Sequence, residues 1–198
     1  MSRSYCNLCQ RPQVSCICHL IHPTKNNIHV VILQHPNEEK QSKGTVKLLS
    51  QSLASCQVLV AENFTNHPEF LAVLKQYQHH IALLYPSEHA EVVKMNSDLK
   101  EGDNINCIIL LDGTWKKAYR IYMMNKVLQE IPHRVLPDDI TGQYHIRKTQ
   151  KQGALSTLEA CCHGLTIMEN DTDKYTGLLE QFGKFNQMHL AFVAKNLK

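Results

Sequence analysis

The sequence predicts an α/β fold in which a mostly parallel sheet is flanked by helices. Its clearest strand contains four consecutive apolar residues, Ile108 to Leu111, and lacks the alternation of a strand with one face in water. Apolar segments of strand length alternate along the chain with segments of helical periodicity, which is typical of parallel sheets. Several predicted strands end directly in polar residues. Because open parallel sheets bind ligands outside the carboxyl ends of their strands, we expect a functional site at that edge.

Hydrophobic periodicity places the elements in a simple order. Strands are predicted over residues 27–34, 57–61, 80–85, 107–111 and 133–136. Helices are predicted from residue 44 to about 54, over 68–77, from 114 to about 130, and through the apolar residues between 175 and 192. In the helix after residue 113, Trp115, Ala118 and Ile121 fall on one apolar side. Residues 138–152 form a long polar connection, and loops of that length usually serve function.

Length and composition predict a compact domain of ordinary size. The chain has 198 residues, and its hydrophobic fraction of 43% is enough for a substantial core. No apolar run approaches membrane-spanning length, and the first residues contain no hydrophobic signal segment. We therefore expect a cytoplasmic protein that folds without disulfides. The formal net charge of +3 is too small to indicate a nucleic-acid partner by itself, so local basic patches must carry that argument.

Four of the eight cysteines lie close together near the amino terminus, in the pattern C-x2-C-x6-C-x-C. These are Cys6, Cys9, Cys16 and Cys18. In a reducing compartment this spacing favours a structural zinc site, and His19 and His22 are alternative ligands nearby. Free thiols or a disulfide are the alternatives, while a catalytic metal is disfavoured because four thiolates leave no open position. The sequence thus predicts a zinc-binding segment over residues 1–24 and a second unit over residues 25–198.

The strand at residues 107–111 runs directly into Asp112, Gly113, Thr114 and Trp115, the only tryptophan in the chain. A carboxylate at the carboxyl end of a buried strand is well placed for chemistry. A structural explanation is also available, because Asp-Gly is a common turn pair and Thr114 is a good helix N-cap. The pattern alone leaves both interpretations open.

Other polar clusters also have two explanations. Lys40, Lys43 and Lys47 suit either a solvated loop or a surface that contacts phosphates. Ser156 and Glu159 have the spacing of a helix capping box, which is a structural role.

Taken together, these motifs resemble the DTW-domain family. The matching elements, in chain order, are the two cysteine pairs, His35-Pro36-x-Glu38, Thr45 with Lys47-Leu48, the box from Asp112 to Trp115, and Arg147 followed by Leu155-Ser156-Thr157-Leu158-Glu159-Ala160. Each element is weak alone, but the combination is specific and covers nearly the whole chain. The residue before Thr45, often Asn in the family, is Gly44 here. The resemblance implies a SPOUT-like fold knotted near the carboxyl terminus and a tRNA-uridine aminocarboxypropyltransferase that uses S-adenosylmethionine.

The resemblance also implies functional residues. The catalytic residues would be Asp112, Thr114 and Trp115. The residues that bind the co-substrate would be Tyr85, Pro86, Ser87, Leu111, Asp112, Leu136, Leu155, Ser156, Thr157, Leu158 and Glu159. The residues that bind the RNA substrate or the methionyl group would be His35, Glu38, Thr45, Lys47 and Arg147. The expected partner is tRNA, with no DNA and no membrane, and the sequence does not predict an oligomeric state.

Physical reasoning supports part of this assignment. The imide nitrogen of uridine is mostly protonated at neutral pH, so its attack on a carbon needs a base, for which Asp112 is the candidate. Trp115 or Tyr85 could stack on a base, and Glu38, Glu159 or Arg147 could hold the charged ends of the methionyl group. A basic path for tRNA would comprise Lys40, Lys43, Lys47, Lys116, Lys117, Arg120, Lys148 and Lys151.

Two rival functions are compatible with the same motifs. A methyltransferase on this fold would use the same co-substrate but transfer its methyl group. A non-enzymatic zinc-ribbon protein would bind RNA without needing S-adenosylmethionine, and its affinity would not depend on Asp112. The mass of the product distinguishes the first rival, and the cofactor requirement distinguishes the second.

Overall fold

The computed structural model describes residues 4–140, residue 142 and residues 155–195, without the side chains of residues 192–195. The strands are β1 His29–Gln34, β2 Cys56–Val60, β3 Ile81–Leu84, β4 Glu91–Val92, β5 Cys107–Asp112 and β6 His133–Val135. The α-helices are α1 Val46–Ser52, α2 Pro68–Tyr77, α3 Trp115–Met124, α4 Val127–Glu130, α5 Thr157–Met168 and α6 Thr176–Lys195.

The strands form one sheet in the order β2-β1-β5-β3-β6-β4, and every neighbouring pair is parallel. This confirms the predicted α/β class. From β1 the chain first adds β2 on one side. The later strands β3 to β6 are all added on the other side of β1, so the direction of strand addition reverses between β1 and β5. In open sheets such a reversal opens a crevice at the carboxyl ends of the strands. The short strand β4 was not predicted, because its two exposed residues carry no hydrophobic pattern.

Two hydrophobic clusters cover the two faces of the sheet. On one face, Val30 and Ile32 of β1 belong to the same cluster as residues of α1, α5 and α6. On the other face, Val31 and Leu33 belong to a cluster with residues of α2, α3 and α4. Consecutive strand residues point to opposite faces, so a strand covered on both sides must be apolar throughout. This explains the unbroken apolar run that predicted β5.

The amino-terminal segment packs against the first of these faces. Cys9, Ile17 and Leu20 are buried in the cluster that contains α5 and α6. The guanidinium of Arg11 lies 5.3 Å from the centroid of the Phe185 ring on α6. The segment therefore shares its core with the sheet, while the division at residue 24 stays a prediction.

The helix predicted from 114 to about 130 is in fact two helices, which is a correction to the sequence analysis. Asn125 separates α3 from α4 and adopts non-helical angles, with φ −121° and ψ 86°. Its side chain is fully buried, accepts a hydrogen bond from the backbone N–H of Phe64 at 2.6 Å, and donates to the carbonyls of Glu62 and Ile121 at 2.9 and 2.6 Å. The helix breaks because the Asn125 side chain forms hydrogen bonds with backbone groups of a loop that is distant in sequence. Hydrophobic periodicity does not reveal such a contact.

Substitution of Asn125 by alanine should destabilise the fold markedly. It removes three hydrogen bonds and leaves a buried N–H and buried carbonyls without partners, which costs about 3 kcal/mol. The free energy of unfolding, measured in urea, tests this. Asn63→Ala is the matched control, because the Asn63 side chain accepts one exposed hydrogen bond, from the N–H of Thr65. Equal stability of the two variants would contradict the role given to Asn125.

Glu169 connects the carboxyl end of α5 to the beginning of β1. One carboxylate oxygen accepts hydrogen bonds from the N–H groups of Asn27 and Ile28, at 2.8 and 3.0 Å. The other accepts from the hydroxyl of Tyr175 at 2.9 Å and from the ammonium of Lys174. The side chain is almost fully buried, so these contacts fix α5 against the sheet.

Within residues 4–140 and 155–195, none of the helices combines the length and apolar character that a membrane-spanning helix requires. The knot implied near the carboxyl terminus and the finer SPOUT-like assignment stay predictions. The connection from residue 143 to 154 lies outside the described residues.

Candidate active site at the carboxyl edge of the sheet

The carboxylate of Asp112 is buried at the end of β5 and held from two sides. The parallel register aligns Asp112 with Gln34, the last residue of β1. The side-chain amide of Gln34 donates to Oδ2 at 2.9 Å, and the hydroxyl of Thr157 donates to Oδ1 at 2.6 Å. Thr157 is the first residue of α5, and the amino terminus of a helix favours negative charge. Asp112 therefore has a fixed orientation in a surrounding that stabilises a carboxylate.

Thr114 and Gly113 stabilise the turn that follows Asp112. Thr114 is the N-cap of α3, and its hydroxyl accepts from the N–H of Lys117 at 3.4 Å. Gly113 is required by close packing, because an added Cβ would lie 2.9 Å from Cβ of Lys117. The predicted N-cap is thus present at Thr114, while the carboxylate of Asp112 bonds to Gln34 and Thr157.

Trp115 occupies a different place from the one predicted by periodicity. It is 52% exposed at the start of α3, whereas Ala118 and Ile121 on the same helix are buried. The prediction that Trp115 shares their apolar side is therefore wrong. The indole is available to solvent at the edge of the site.

A hydrogen-bonded and stacked cluster holds the loop that follows β3. The hydroxyl of Ser87 lies 2.6 Å from Nδ1 of His133, and Nε2 of His133 lies 2.7 Å from the carbonyl of Leu128. Since a carbonyl only accepts, Nε2 carries the proton and Nδ1 accepts from Ser87. The ring of Tyr85 stacks on Tyr122 with 4.9 Å between centroids. Burial raises the pKa of Tyr85, and the nearby Tyr122 raises it further.

The amino terminus of α5 brings the last group of predicted residues to the same edge. Ser156 is the N-cap, and it forms a complete capping box with Glu159, with hydrogen bonds of 3.2 and 2.8 Å. Leu158 is fully buried beneath this turn, and Leu155 is half-buried before it. Leu136 packs against α5 at Gly164. A Cβ atom added to Gly164 would lie 3.8 Å from a methyl group of Leu136, which is van der Waals contact.

The turn after β1 carries a second set of polar contacts. His35 is buried, accepts from the N–H of Asn37 at Nδ1, and therefore donates from Nε2 to Glu62 at 2.6 Å. The other oxygen of Glu62 accepts from Arg120 of α3 at 3.0 Å. Pro86, which follows β3, is exposed beside the half-buried Ser87. Through Glu62, these contacts join the end of β1 to the middle of α3. Both ring nitrogens of His35 are hydrogen-bonded.

Glu38 forms an ion pair with Lys117 of α3, with 2.6 Å between the ammonium and the carboxylate. Glu38 and Lys47 also line a cavity of about 1350 Å³ between the amino-terminal segment, α1 and α6, and this cavity reaches Gln34. Thr45 is buried as the residue preceding α1. Arg147 lies outside the described residues, so its place stays a prediction.

The four cysteines of the amino-terminal segment converge. Their sulfur atoms all lie within 4.8 Å of one another, so they could hold a metal ion. Sγ of Cys6 is 3.5 Å from Sγ of Cys18, and Sγ of Cys9 is 3.8 Å from Sγ of Cys16. Four sulfurs bound tetrahedrally at about 2.3 Å from zinc are roughly 3.8 Å apart, whereas a disulfide needs about 2 Å. The separations fit shared metal coordination and exclude a disulfide.

The electrostatic surroundings of these thiols differ. The N–H groups of Cys9 and Leu8 lower the pKa of Cys6 to about 6, which favours a thiolate. Burial raises the pKa of Cys18 to about 12, so without a cation this sulfur keeps its proton. A divalent cation would favour the thiolate at all four positions.

Comparison with known proteins places most of the chain in one family. The model of the DTW domain matches residues 3–190. The chain belongs to the DTW-domain family. The DTW box of this chain is the turn at Asp112, Thr114 and Trp115, whose geometry is described above. No solved structure matches the chain.

Several named proteins are similar to this one over most of the chain. A protein of Macaca fascicularis named tRNA-uridine aminocarboxypropyltransferase 2 is 32% identical over 176 residues, covering 85% of this chain and 58% of the relative. The Drosophila melanogaster protein of the same name is 32% identical over 175 residues, covering 85% and 68%. An Arabidopsis thaliana protein named tRNA-uridine aminocarboxypropyltransferase A is 24% identical over 220 residues, covering 95% and 83%. The chain thus spans 58% of the length of the macaque relative.

Three residues of this DTW site were missed by sequence reasoning. Gln34 orients Asp112, His133 holds Ser87, and Glu62 links His35 to Arg120. Gln34 ends a strand and His133 begins one, which is the only sequence feature that could have indicated a functional role for them. Polar residues are common at strand ends, so this feature does not distinguish them. Their partners lie 78 and 46 positions away along the chain.

Proposed function

We propose that this protein transfers the 3-amino-3-carboxypropyl group of S-adenosylmethionine to the imide nitrogen of a uridine in tRNA. The observation that carries the proposal is the DTW-domain match over residues 3–190, together with the names of the similar proteins. The buried, doubly hydrogen-bonded carboxylate of Asp112 supports it, because it stands within the family's own motif.

The proposed reaction needs one base and accurate positioning. A bond forms between the uridine imide nitrogen and the γ-carbon of the methionyl group. The bond from that carbon to the sulfonium breaks, its electron pair stays on sulfur, and methylthioadenosine leaves. The imide proton goes to a base. The sulfonium is already a good leaving group, so the protein mainly has to present this carbon, rather than the methyl group, to the nucleophile.

Asp112 is the proposed base. Gln34 and Thr157 each hold one of its oxygens, so the carboxylate has a fixed position at the carboxyl end of β5. The amino terminus of α5 stabilises the ionised form before the reaction. Thr114 would set the position of Asp112 through the turn, and the exposed Trp115 would contact the RNA at the edge of the site.

The described residues fit a co-substrate with a positive charge. The site contains the buried carboxylate of Asp112 and the stacked rings of Tyr85 and Tyr122, and both kinds of group attract cations. Backbone groups of residues 85–87, 110–112 and 154–158 would hold the adenosine, and residue 154 lies outside the described residues. Glu38, Glu159 and Arg147 are the candidates for holding the charged ends of the methionyl group, although Glu159 also forms the capping box and Glu38 also pairs with Lys117.

The residues after β1 would contact the RNA. Thr45 and His35 would shape this surface, and Lys47 would approach a phosphate from the wall of the cavity. Of the predicted basic path, Lys117 and Arg120 form ion pairs with Glu38 and Glu62, which lowers their value as phosphate ligands.

We also propose that the cysteine cluster binds zinc. The separations of 3.5 and 3.8 Å suit a tetrahedral ion, and four thiolates leave no open position for chemistry. Its role would be structural, since the segment shares the core of α5 and α6.

Nucleoside analysis tests the proposed reaction. The protein is incubated with unmodified tRNA and S-adenosylmethionine, the RNA is digested, and the nucleosides are analysed by mass spectrometry. We expect uridine carrying one aminocarboxypropyl group, and methylthioadenosine in equal amount. A uridine carrying only a methyl group would replace the proposal with methyl transfer. Absence of any modified nucleoside would overturn it.

A further inference from the structure

Helix α3 presents a stripe of large apolar side chains to solvent. Trp115 is 52% exposed, Tyr119 is 56% exposed and Met123 is 49% exposed. They are spaced four residues apart, so they lie along one side of the helix over about 12 Å. The buried residues of α3, Ala118 and Ile121, account for its packing on the sheet. The three side chains of the stripe therefore lie outside the core that packs α3 on the sheet.

The stripe is bordered by positive charge and begins at the proposed active site. No acidic residue occurs between Gly113 and Gln129, and Lys116 and Lys126 are exposed there. Trp115 follows Asp112 by three positions. Such a combination of aromatic surface and cations is the general chemistry by which proteins bind single-stranded nucleic acid.

The stripe also continues towards the loop after β3. Tyr122, one turn from Tyr119, stacks on Tyr85 with an interplanar angle of 23°. Aromatic surface thus extends from the proposed co-substrate loop onto the outside of α3. A length of about 12 Å corresponds to about three or four stacked nucleotides.

We propose that the α3 stripe, formed by Trp115, Tyr119 and Met123, binds the unpaired bases next to the target uridine by stacking. This inference rests on the proposed function for the identity of the RNA. Three side chains cover far less than the roughly 800 Å² per partner of a standard protein interface, which disfavours a second copy of the chain. The positive border favours a polyanion, and RNA bases supply the flat apolar surfaces that the stripe matches.

The single tryptophan provides a direct measurement. The full chain with its zinc is titrated with a short single-stranded oligouridylate and, separately, with unmodified tRNA, and the fluorescence of Trp115 is followed. Stacking of bases on the indole should quench this fluorescence in a saturable manner. An absence of quenching at saturating RNA would overturn the proposal. Quenching by anionic phospholipid vesicles, without affinity for RNA, would overturn it in favour of a membrane surface.

Variants separate stacking from charge. Loss of one stacking side chain costs about 1–3 kcal/mol per base, so Tyr119→Ala should weaken RNA binding roughly fivefold to a hundredfold. Tyr119→Phe should retain the affinity, because the ring remains. Leu71→Ala, which removes an apolar side chain of α2 that is 46% exposed, is the matched control and should leave the affinity unchanged. Lys116→Gln should flatten the salt dependence of binding, whereas Tyr119→Ala should not.

The outcomes distinguish this inference from the proposed function. RNA binding that quenches Trp115 without any transfer product would keep the stripe and refute the transferase. Wild-type RNA affinity and wild-type product formation by Tyr119→Ala would refute the stripe and keep the transferase.

Discussion

Asp112→Asn should lower the rate of transfer by about a hundredfold to ten-thousandfold, the usual cost of removing a positioned base. The substitution removes the oxygen that accepts the imide proton while keeping the size of the side chain. The measurement is a single-turnover rate with saturating S-adenosylmethionine and tRNA.

The fold should tolerate this change because both partners of Asp112 can reverse their roles. The Gln34 amide can rotate to present its oxygen, and the Thr157 hydroxyl can accept as well as donate. An asparagine can therefore satisfy both contacts. Asp98→Asn, at an exposed carboxylate, is the matched control and should keep the wild-type rate.

A pH series adds a second criterion. In Asp112→Asn the rate should rise with pH, because a larger fraction of uridine is already deprotonated. A wild-type rate in the variant would exclude Asp112 as the base. A variant that folds but no longer binds S-adenosylmethionine would make Asp112 a ligand of the co-substrate instead, and a variant that fails to fold would make it a structural residue.

Cys9→Ser should abolish binding at the proposed zinc site and destabilise the protein as a whole. Structural zinc contributes on the order of 10 kcal/mol to small metal-binding segments. Cys9 is buried and belongs to the core shared with α5 and α6. Loss of the ion should therefore cost about 3 kcal/mol or more, which for a chain of this length lowers the Tm by roughly 10 °C.

Metal analysis and thermal unfolding of protein purified under reducing conditions test this prediction. Cys56→Ser is the matched control, since Cys56 is half-buried in β2 and lies outside the cluster. It should keep stoichiometric zinc. Wild-type protein that contains no stoichiometric zinc, or a Cys9→Ser variant of unchanged Tm, would contradict the proposed site.

The elements that could be predicted are those whose physical cause is local. The apolar run from Ile108 to Leu111 predicted β5 because burial on both faces demands it, and Thr114 was predicted as an N-cap because capping uses the helix's own first turn. The break at Asn125 could not be predicted. Its cause is the backbone of residues 62–64, about sixty positions earlier.

The candidate active site shows the same difference between features with a local cause and features with a cause distant in sequence. Asp112 was predicted because it directly follows a buried strand, and the resemblance supplied the residues of α5 beside it. The partnership of Gln34 with Asp112 was hidden because it depends on β1 and β5 being neighbours, although three strands separate them in the chain. Likewise, the ion pair of Glu38 with Lys117 joins residues 79 positions apart.

Helix α5 is attached to both ends of the central strands. Its first residue, Thr157, bonds to Asp112, which lies level with the last residue of β1, and Glu169, which follows its last turn, bonds to Asn27 and Ile28 before β1 begins. The twelve residues of α5 span about 18 Å, close to the length of a six-residue strand. An insertion or deletion in either element would detach one end, so the strand and the helix must keep their lengths together.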